Sequence, residues 1–222
     1  MIDHNKKWLN YFPKKDITCI YEDSKKSIWV GTKDDGLFRL DRNGGITNYG
    51  TAPHQNMLSS SYVRCVVEDN LGNYWIGTFK GLDKLDVTTG TFTHYSKDNK
   101  PYSLSNSSII CMMKDRQGTF WIGTYYGGVN LFNPDYEIYT YYYPDESQKG
   151  KLTSPFAGRM TEDSNGGIWI ATEGGGVNYL DKKTKTFTEY KHDATKNSLA
   201  SNTIQGLFLD EDNHALWIGT LR

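Results

Sequence analysis

Ser27–Asp41 reads SIWVGTKDDGLFRLD, and Asn73–Asp86 reads NYWIGTFKGLDKLD. The phrase returns as TFWIGTYYGGVNLFN (Thr119–Asn133), as GIWIATEGGGVNYLD (Gly167–Asp181) and, shortened, as ALWIGTLR (Ala215–Arg222). Its tryptophans, Trp29, Trp75, Trp121, Trp169 and Trp217, are 46, 46, 48 and 48 residues apart. A period of roughly 40–50 residues, rich in aromatics, glycine and alternating strands, points to propeller blades or a related array.

One period divides into four short strands. The first is ITCIYED, repeated as VRCVVED, IICMMKD, AGRMTED and IQGLFLD. Both of its alternating faces are largely apolar, as expected of a strand covered on two sides. The second carries the tryptophan, after a turn such as DNLGN or DSNGG whose Gly and Asn accept positive φ. The third is GLFRLD, GLDKLD, GVNLFN or GVNYLD. The fourth is GITNY, TFTHY, EIYTY or TFTEY, closing on Tyr49, Tyr95, Tyr141 and Tyr190.

A four-stranded sheet cannot cover both of its own faces. Radial stacking gives each sheet two neighbours and leaves only short edges. The expected fold is therefore all-β: one β-propeller segment over residues 1–222, in blades of four antiparallel strands. Four blades are complete (12–50, 51–96, 97–143, 144–191), 192–222 is partial, and 7–11 is the outer strand of a preceding blade. Each tryptophan should pack between blades, with the Gly two residues later admitting the next sheet. Two closures fit: an arc of a larger propeller, or a five-bladed ring lacking one strand. The missing third strand after WIGTLR favours the arc, whose open edges would promote self-association.

Composition narrows the functional classes. The chain has 25 basic and 26 acidic residues, interspersed, for a net charge of −1. That excludes the basic face a nucleic-acid binder needs. No apolar run approaches the ~20 residues that span a bilayer, and MIDHNKKWLNYF has no signal-peptide core. No direct membrane contact is expected, and the chain carries no address of its own. Cys19, Cys65 and Cys111 are one repeat position seen three times. Equivalent points of successive blades lie too far apart for a disulfide, and no C-x-x-C pair suggests a metal. They are expected as small buried thiols packing as apolar residues. The five histidines are scattered, and His94 falls on the outer strand where Asn48, Thr140 and Glu189 stand in other blades, a solvated edge. No H-E-x-x-H, nucleophile elbow or phosphate loop occurs, so no metal and no cofactor is expected. Gly174–Gly176 is a hairpin needing positive φ rather than an anion cradle.

Glu162–Tyr190, EDSNGGIWIATEGGGVNYLDKKTKTFTEY, resembles the two-component regulator propeller repeat: an acidic turn, W-I-G-T, a Gly-Gly-Leu/Val-Asn strand and an aromatic closing strand. HQNMLSSSYV and ATKNSLASNTI are similar to that family's inter-blade loop. The resemblance covers nearly the whole chain in five correlated copies. It implies a periplasmic place in the sensor region of a hybrid two-component system of Bacteroidetes type. In that family propeller blades precede an immunoglobulin-like domain, a membrane helix and a histidine kinase. The partners it implies are an oligosaccharide or other small ligand, the remaining blades, and the kinase modules.

The candidate site follows from the geometry of a blade. Loops after the second strand and before the first emerge together around the channel mouth, where the repeats vary most. TKDDG, TFKG, TYYGG and TEGGG set Lys33, Asp34, Phe79, Lys80, Tyr125, Tyr126 and Glu173 around that ring. Aromatic faces with mixed charge suit a sugar, which offers apolar C–H faces and a rim of hydroxyls. Ordinary solvated turns are the plainer explanation for any one of them. Arg64 and Arg159 on inner strands would point into the channel and grip an acidic or hydroxyl-rich ligand; for Arg159 a buried structural ion pair is the alternative. Propeller enzymes are the competing class. The SNGGIW and NLGNYW turns come close to a sialidase turn, but the Asp stands one residue too early. LDVTTGTFTHY is similar to quinoprotein-dehydrogenase blades with the tryptophan on another strand. A streptogramin-lyase-like enzyme would need a His/Glu constellation with a metal at the mouth. The expected function is non-catalytic ligand sensing, with a lyase-like enzyme or a protein-interaction scaffold as alternatives.

Overall fold

The computed structural model describes residues 11–50, 56–98, 103–133, 138–145 and 150–221. Every regular element among them is a strand. The first sheet is β1 (Ile17–Glu22), β2 (Ile28–Thr32), β3 (Leu37–Leu40) and β4 (Ile46–Tyr49). The second is β5 (Val63–Glu68), β6 (Tyr74–Thr78), β7 (Leu82–Asp86) and β8 (Thr91–Tyr95). The third is β9 (Ile109–Lys114), β10 (Phe120–Thr124), β11 (Gly128–Asn133) and β12 (Ile138–Tyr142). The fourth is β13 (Ala157–Glu162), β14 (Ile168–Thr172), β15 (Val177–Asp181) and β16 (Thr186–Tyr190). In all four the strands lie side by side in chain order and antiparallel. A last pair, β17 (Ile204–Asp210) and β18 (Ala215–Thr220), makes a two-stranded half-blade. Among the described residues the sheets do not close into a ring, so the arc, not the five-bladed ring, is the architecture. The outer strand expected over 7–11 falls, apart from Tyr11, outside the described residues.

The tryptophans build the seams between blades. Trp29 is fully buried against Tyr49 of its own sheet and Tyr74 of the next, with ring centroids 5.5 and 4.1 Å away. Trp75 sits likewise among Tyr95, Phe120 and Phe132, and Trp121 against Tyr142. Each such pair adds about 0.5–1.5 kcal/mol beyond area burial. The Gly two residues on sets the spacing. A Cβ at Gly31 would stand 2.8 Å from Val63 Cγ1, and one at Gly77 2.7 Å from Ile109 Cγ2. Only a hydrogen there lets the following inner strand approach.

In the two-stranded half-blade the tryptophan is uncovered. Trp217 is 64% exposed beside Phe208 at 65%. At the other end of the arc Ile20 is 69% exposed, although Phe12 covers Phe38 with centroids 5.3 Å apart.

Three local expectations change. The closing tyrosine of the third blade is Tyr142, not Tyr141, because Val129 pairs with Tyr142 as Leu82 pairs with Tyr95. By the same register His94 corresponds to Tyr141 rather than Thr140. The cysteines are free but only half-buried, each thiol lying over the glycine of the neighbouring strand and bordering the centre of the arc. Burial pushes the Cys19 thiol up to about 11 and the Cys111 thiol to about 12, so both are neutral at pH 7. His94 is no free edge residue: its Nδ1 lies 2.8 Å from Oδ1 of Asp83, a carboxylate with no solvent exposure.

Candidate functional site

A repeated backbone bond builds the mouth. The residue after the tryptophan strand donates its N–H to the carbonyl just before the inner strand of the same blade. The pairs are Lys33 to Asp16, Phe79 to Tyr62, Tyr125 to Ser108, Glu173 to Phe156 and Leu221 to Thr203, at 2.9 to 3.1 Å. Beneath each of the first four lies a buried threonine, Thr32, Thr78, Thr124 or Thr172, whose hydroxyl donates to the carbonyl of Gly36, Gly81, Gly128 or Gly176. The mouth loops therefore stand on a rigid base while their side chains remain free to vary.

The inter-blade loop is clamped at the same level. Asp83 Oδ2 accepts the Ser59 amide at 2.8 Å, Asn130 Oδ1 the Ser105 amide at 2.9 Å, and Asn178 Oδ1 the Thr153 amide at 3.1 Å. Asp83 is the acidic version of this clamp, and its Oδ1 meets His94 Nδ1 at 2.8 Å. Burial raises the Asp83 carboxyl above its ordinary value, opposed by the bonds from His94 and Ser59.

At the centre of the arc the inner strands enclose a cleft of about 640 Å³. Four of the expected residues line it: Arg64, Arg159, Tyr125 and Glu173. Arg64 donates to Ser108 Oγ and the Ile109 carbonyl, both at 2.9 Å, and its guanidinium lies 4.5 Å from the Tyr62 ring and 5.2 Å from the Phe79 ring. Arg159 is exposed and makes no ion pair among the described residues, so the buried-pair alternative falls.

The remaining expected residues stand at the rim or outside it. Phe79, 51% exposed, stacks on Tyr62 at 6.2 Å. Tyr126 packs on Phe156 at 3.9 Å and edge-on to Tyr125 at 4.7 Å. Lys33, Asp34 and Lys80 are exposed and do not border the cleft. Tyr62 and Phe156 are the two residues sequence reasoning left out. Both directly precede an inner strand, and that placement was signal enough to find them.

The backbone of Tyr126 adds a further mark. Its φ is 57°, in the left-handed region, at the position held by Gly174 (φ 81°) in the fourth blade. An aromatic residue pays about 1–2 kcal/mol to sit there. Such local conflicts concentrate at functional positions.

The model for the two component regulator propeller matches this chain four times, over residues 11–34, 57–80, 103–126 and 151–174. Each match runs from an inter-blade loop through an inner strand and the tryptophan to the mouth. The chain carries four two-component regulator propeller repeats.

Solved structures agree on the arrangement of these regulator propeller repeats. The extracellular domain of the putative hybrid two component system BT4673 from B. thetaiotaomicron superposes with a TM-score of 0.75 at 23% identity. That match covers 93% of this chain and 28% of the other. The corresponding domain of BT3049 from the same organism gives 0.59 at 19% identity, over 99% of this chain and 34% of the other. A catalytically inactive virginiamycin B lyase from Staphylococcus aureus with quinupristin gives 0.69 at 16% identity, over 95% and 65%. At these identities the likeness establishes the propeller fold. The regulator-propeller chain spans about a third or less of the length of the two sensor domains. No curated protein matches it.

Proposed function

We propose that this chain is a non-catalytic, ligand-sensing segment of an extracytoplasmic two-component receptor, and that it takes an oligosaccharide over the mouth of the central cleft. The observation that carries this is that Tyr62, Tyr125 and Phe156 line one cleft, with Phe79 packed on Tyr62 and Tyr126 on Phe156, while Tyr126 holds a backbone conformation that glycine holds in the next blade. Flat aromatic faces beside charged groups match the C–H faces and hydroxyls of a sugar ring. The receptor context rests on the repeat family and on neighbours that are extracellular domains of two-component systems. The other blades and a kinase module would be its partners within such a receptor.

A glycan array followed by calorimetry tests the proposal. Tyr125→Ala with Tyr126→Gly should weaken a binding oligosaccharide by about 1–3 kcal/mol through lost stacking. An unchanged affinity would move the site elsewhere. Turnover of a sugar that Glu173→Gln abolishes would contradict the non-catalytic assignment.

A further inference from the structure

We propose that the ligand of the cleft is anionic: an oligosaccharide bearing a carboxylate or sulfate, whose charged group is bound between Arg159 and Arg64. This rests on the ligand site proposed above and names its chemistry.

Arg159 is not required by the packing of the blade. Its repeat position is Cys19, Cys65 and Cys111 in the first three blades and Gly206 in the half-blade. In those three blades the thiol fills the space over Gly31, Gly77 or Gly123. In the fourth blade that glycine is Ala171, fully buried, so its own methyl takes the space and residue 159 is released from the seam. A serine or threonine would serve there. The chain places a long cation instead, borders the cleft with it, and gives it no carboxylate partner among the described residues.

Arg64 is the complementary half. Its bonds to Ser108 and Ile109 and its stacking on Tyr62 fix the guanidinium on the cleft wall. A guanidinium has five N–H donors in a rigid fork, so donors remain for a ligand. The other blades carry Thr18, Ile110, Gly158 and Gln205 at this position, so the charge is particular to the second blade.

The charge balance decides the class of ligand. Among the described residues the charged groups lining the cleft are Arg64, Arg159 and Glu173, a net +1 inside a chain whose total is −1. A concave, partly apolar wall focuses such a field and raises the local concentration of anions. Glu173 lines the same cleft, where it accepts from sugar hydroxyls and leaves the anion to the arginines. Tyr62, Tyr125 and Phe156 supply ring-facing surface on the same wall, which a bare inorganic ion would leave unused.

The test is calorimetry on the intact chain with paired probes. Uronate-bearing and sulfated oligosaccharides are each compared with a neutral counterpart, the methyl ester or the desulfated sugar, with inorganic sulfate as a further arm. Acidic members should bind at least about tenfold more tightly, an advantage that fades between about 50 and about 300 mM salt. Arg159→Gln should remove the advantage, with an unchanged unfolding midpoint because the side chain is exposed. Equal affinity for the pairs, or full retention in Arg159→Gln, overturns the inference, as does sulfate binding as tightly as the acidic sugars. If neutral sugars bind and the Tyr125 and Tyr126 substitutions weaken them, the site stands and only its anion selectivity fails. If neither class binds, both proposals fail.

Discussion

Asp115 Oδ2 accepts a 3.0 Å hydrogen bond from Trp121 Nε1, while its Oδ1 accepts the amides of Gln117 and Thr119 at 3.0 and 2.9 Å. One carboxylate thus closes the turn before the second strand and fixes the tryptophan that fills the seam. Asp23 and Asp69 hold Trp29 and Trp75 in the same way, at 2.9 and 3.0 Å. Lys182 of the following blade adds an ion pair to Asp115 at 2.8 Å and lies 5.8 Å from the Trp121 ring.

Asp115→Ala would strip partners from an indole N–H, two turn amides and an ammonium. A loss of about 2–4 kcal/mol is expected in urea unfolding. The pH dependence follows from the same contacts. Burial pushes both carboxyls up, but the Trp29 indole, the Tyr74 hydroxyl and the Ser27 amide at Asp23, and the Lys182 ammonium, the Trp121 indole and the Thr119 amide at Asp115, outweigh it and hold both below the ordinary range. A depressed folded value stabilises the protein above the unfolded value of about 4 and is lost as pH falls through the folded one. The urea midpoint should drop below about pH 4, and less steeply in Asp115→Asn.

His94 and Asp83 form a second test. Removing the imidazole leaves a fully buried carboxylate without its counter-group, and His94→Ala should cost roughly 1–3 kcal/mol. Asp83→Asn reproduces Asn130 and Asn178, keeps an acceptor for the Ser59 amide, and should make a subsequent His94→Ala nearly neutral. A double-mutant cycle by thermal unfolding measures the difference; additive losses would show that the pair is not coupled.

Seam depth predicts a gradient along the chain. Trp75→Ala opens a cavity among Tyr95, Phe120 and Phe132 and should cost about 3–5 kcal/mol. Trp217→Ala, at 64% exposure, should cost much less, and Trp217→Lys with Phe208→Lys should reduce concentration-dependent association in sedimentation velocity.

Gly77→Ala should destabilise by about 1–3 kcal/mol, because the new methyl meets Cys65 Sγ and Ile109 Cγ2. Adding Cys65→Gly should return part of that loss, as Ala171 is tolerated where the thiol is absent. No recovery in a thermal melt would show that the inner strand of the next blade, and not the thiol, sets the limit.

The blade count, strand order and seam tryptophans were legible because each rests on a pattern repeated four or five times, and repetition fixes register. The error at Tyr141 arose where repetition gives no guide: in IYTYYY any tyrosine satisfies the aromatic pattern, and only pairing with Val129 selects Tyr142. The half-buried cysteines were missed because their exposure depends on the centre of the arc, a feature no single repeat contains. The Asp–Trp bond lay in plain view as a fixed spacing of six residues. A strand pairing is needed to see that the indole N–H turns back to the carboxylate. At the mouth, Tyr125, Glu173, Arg64 and Arg159 were visible because they depart from the repeat, whereas Tyr62 and Phe156 sit one residue outside the strand that drew attention.

The most direct test of the ligand site is methyl chemical-shift mapping with an oligosaccharide selected on the array. Ile110, Met112, Ala157 and Ile204 border the cleft, while Ile46 and Leu85 lie on outer parts of their blades. Binding at the mouth predicts saturable shifts in the first group, abolished by Tyr125→Ala with Tyr126→Gly, and none in the second. Shifts confined to Ile46 and Leu85, or unaffected by the tyrosine substitutions, would contradict a ligand site at the centre of the arc.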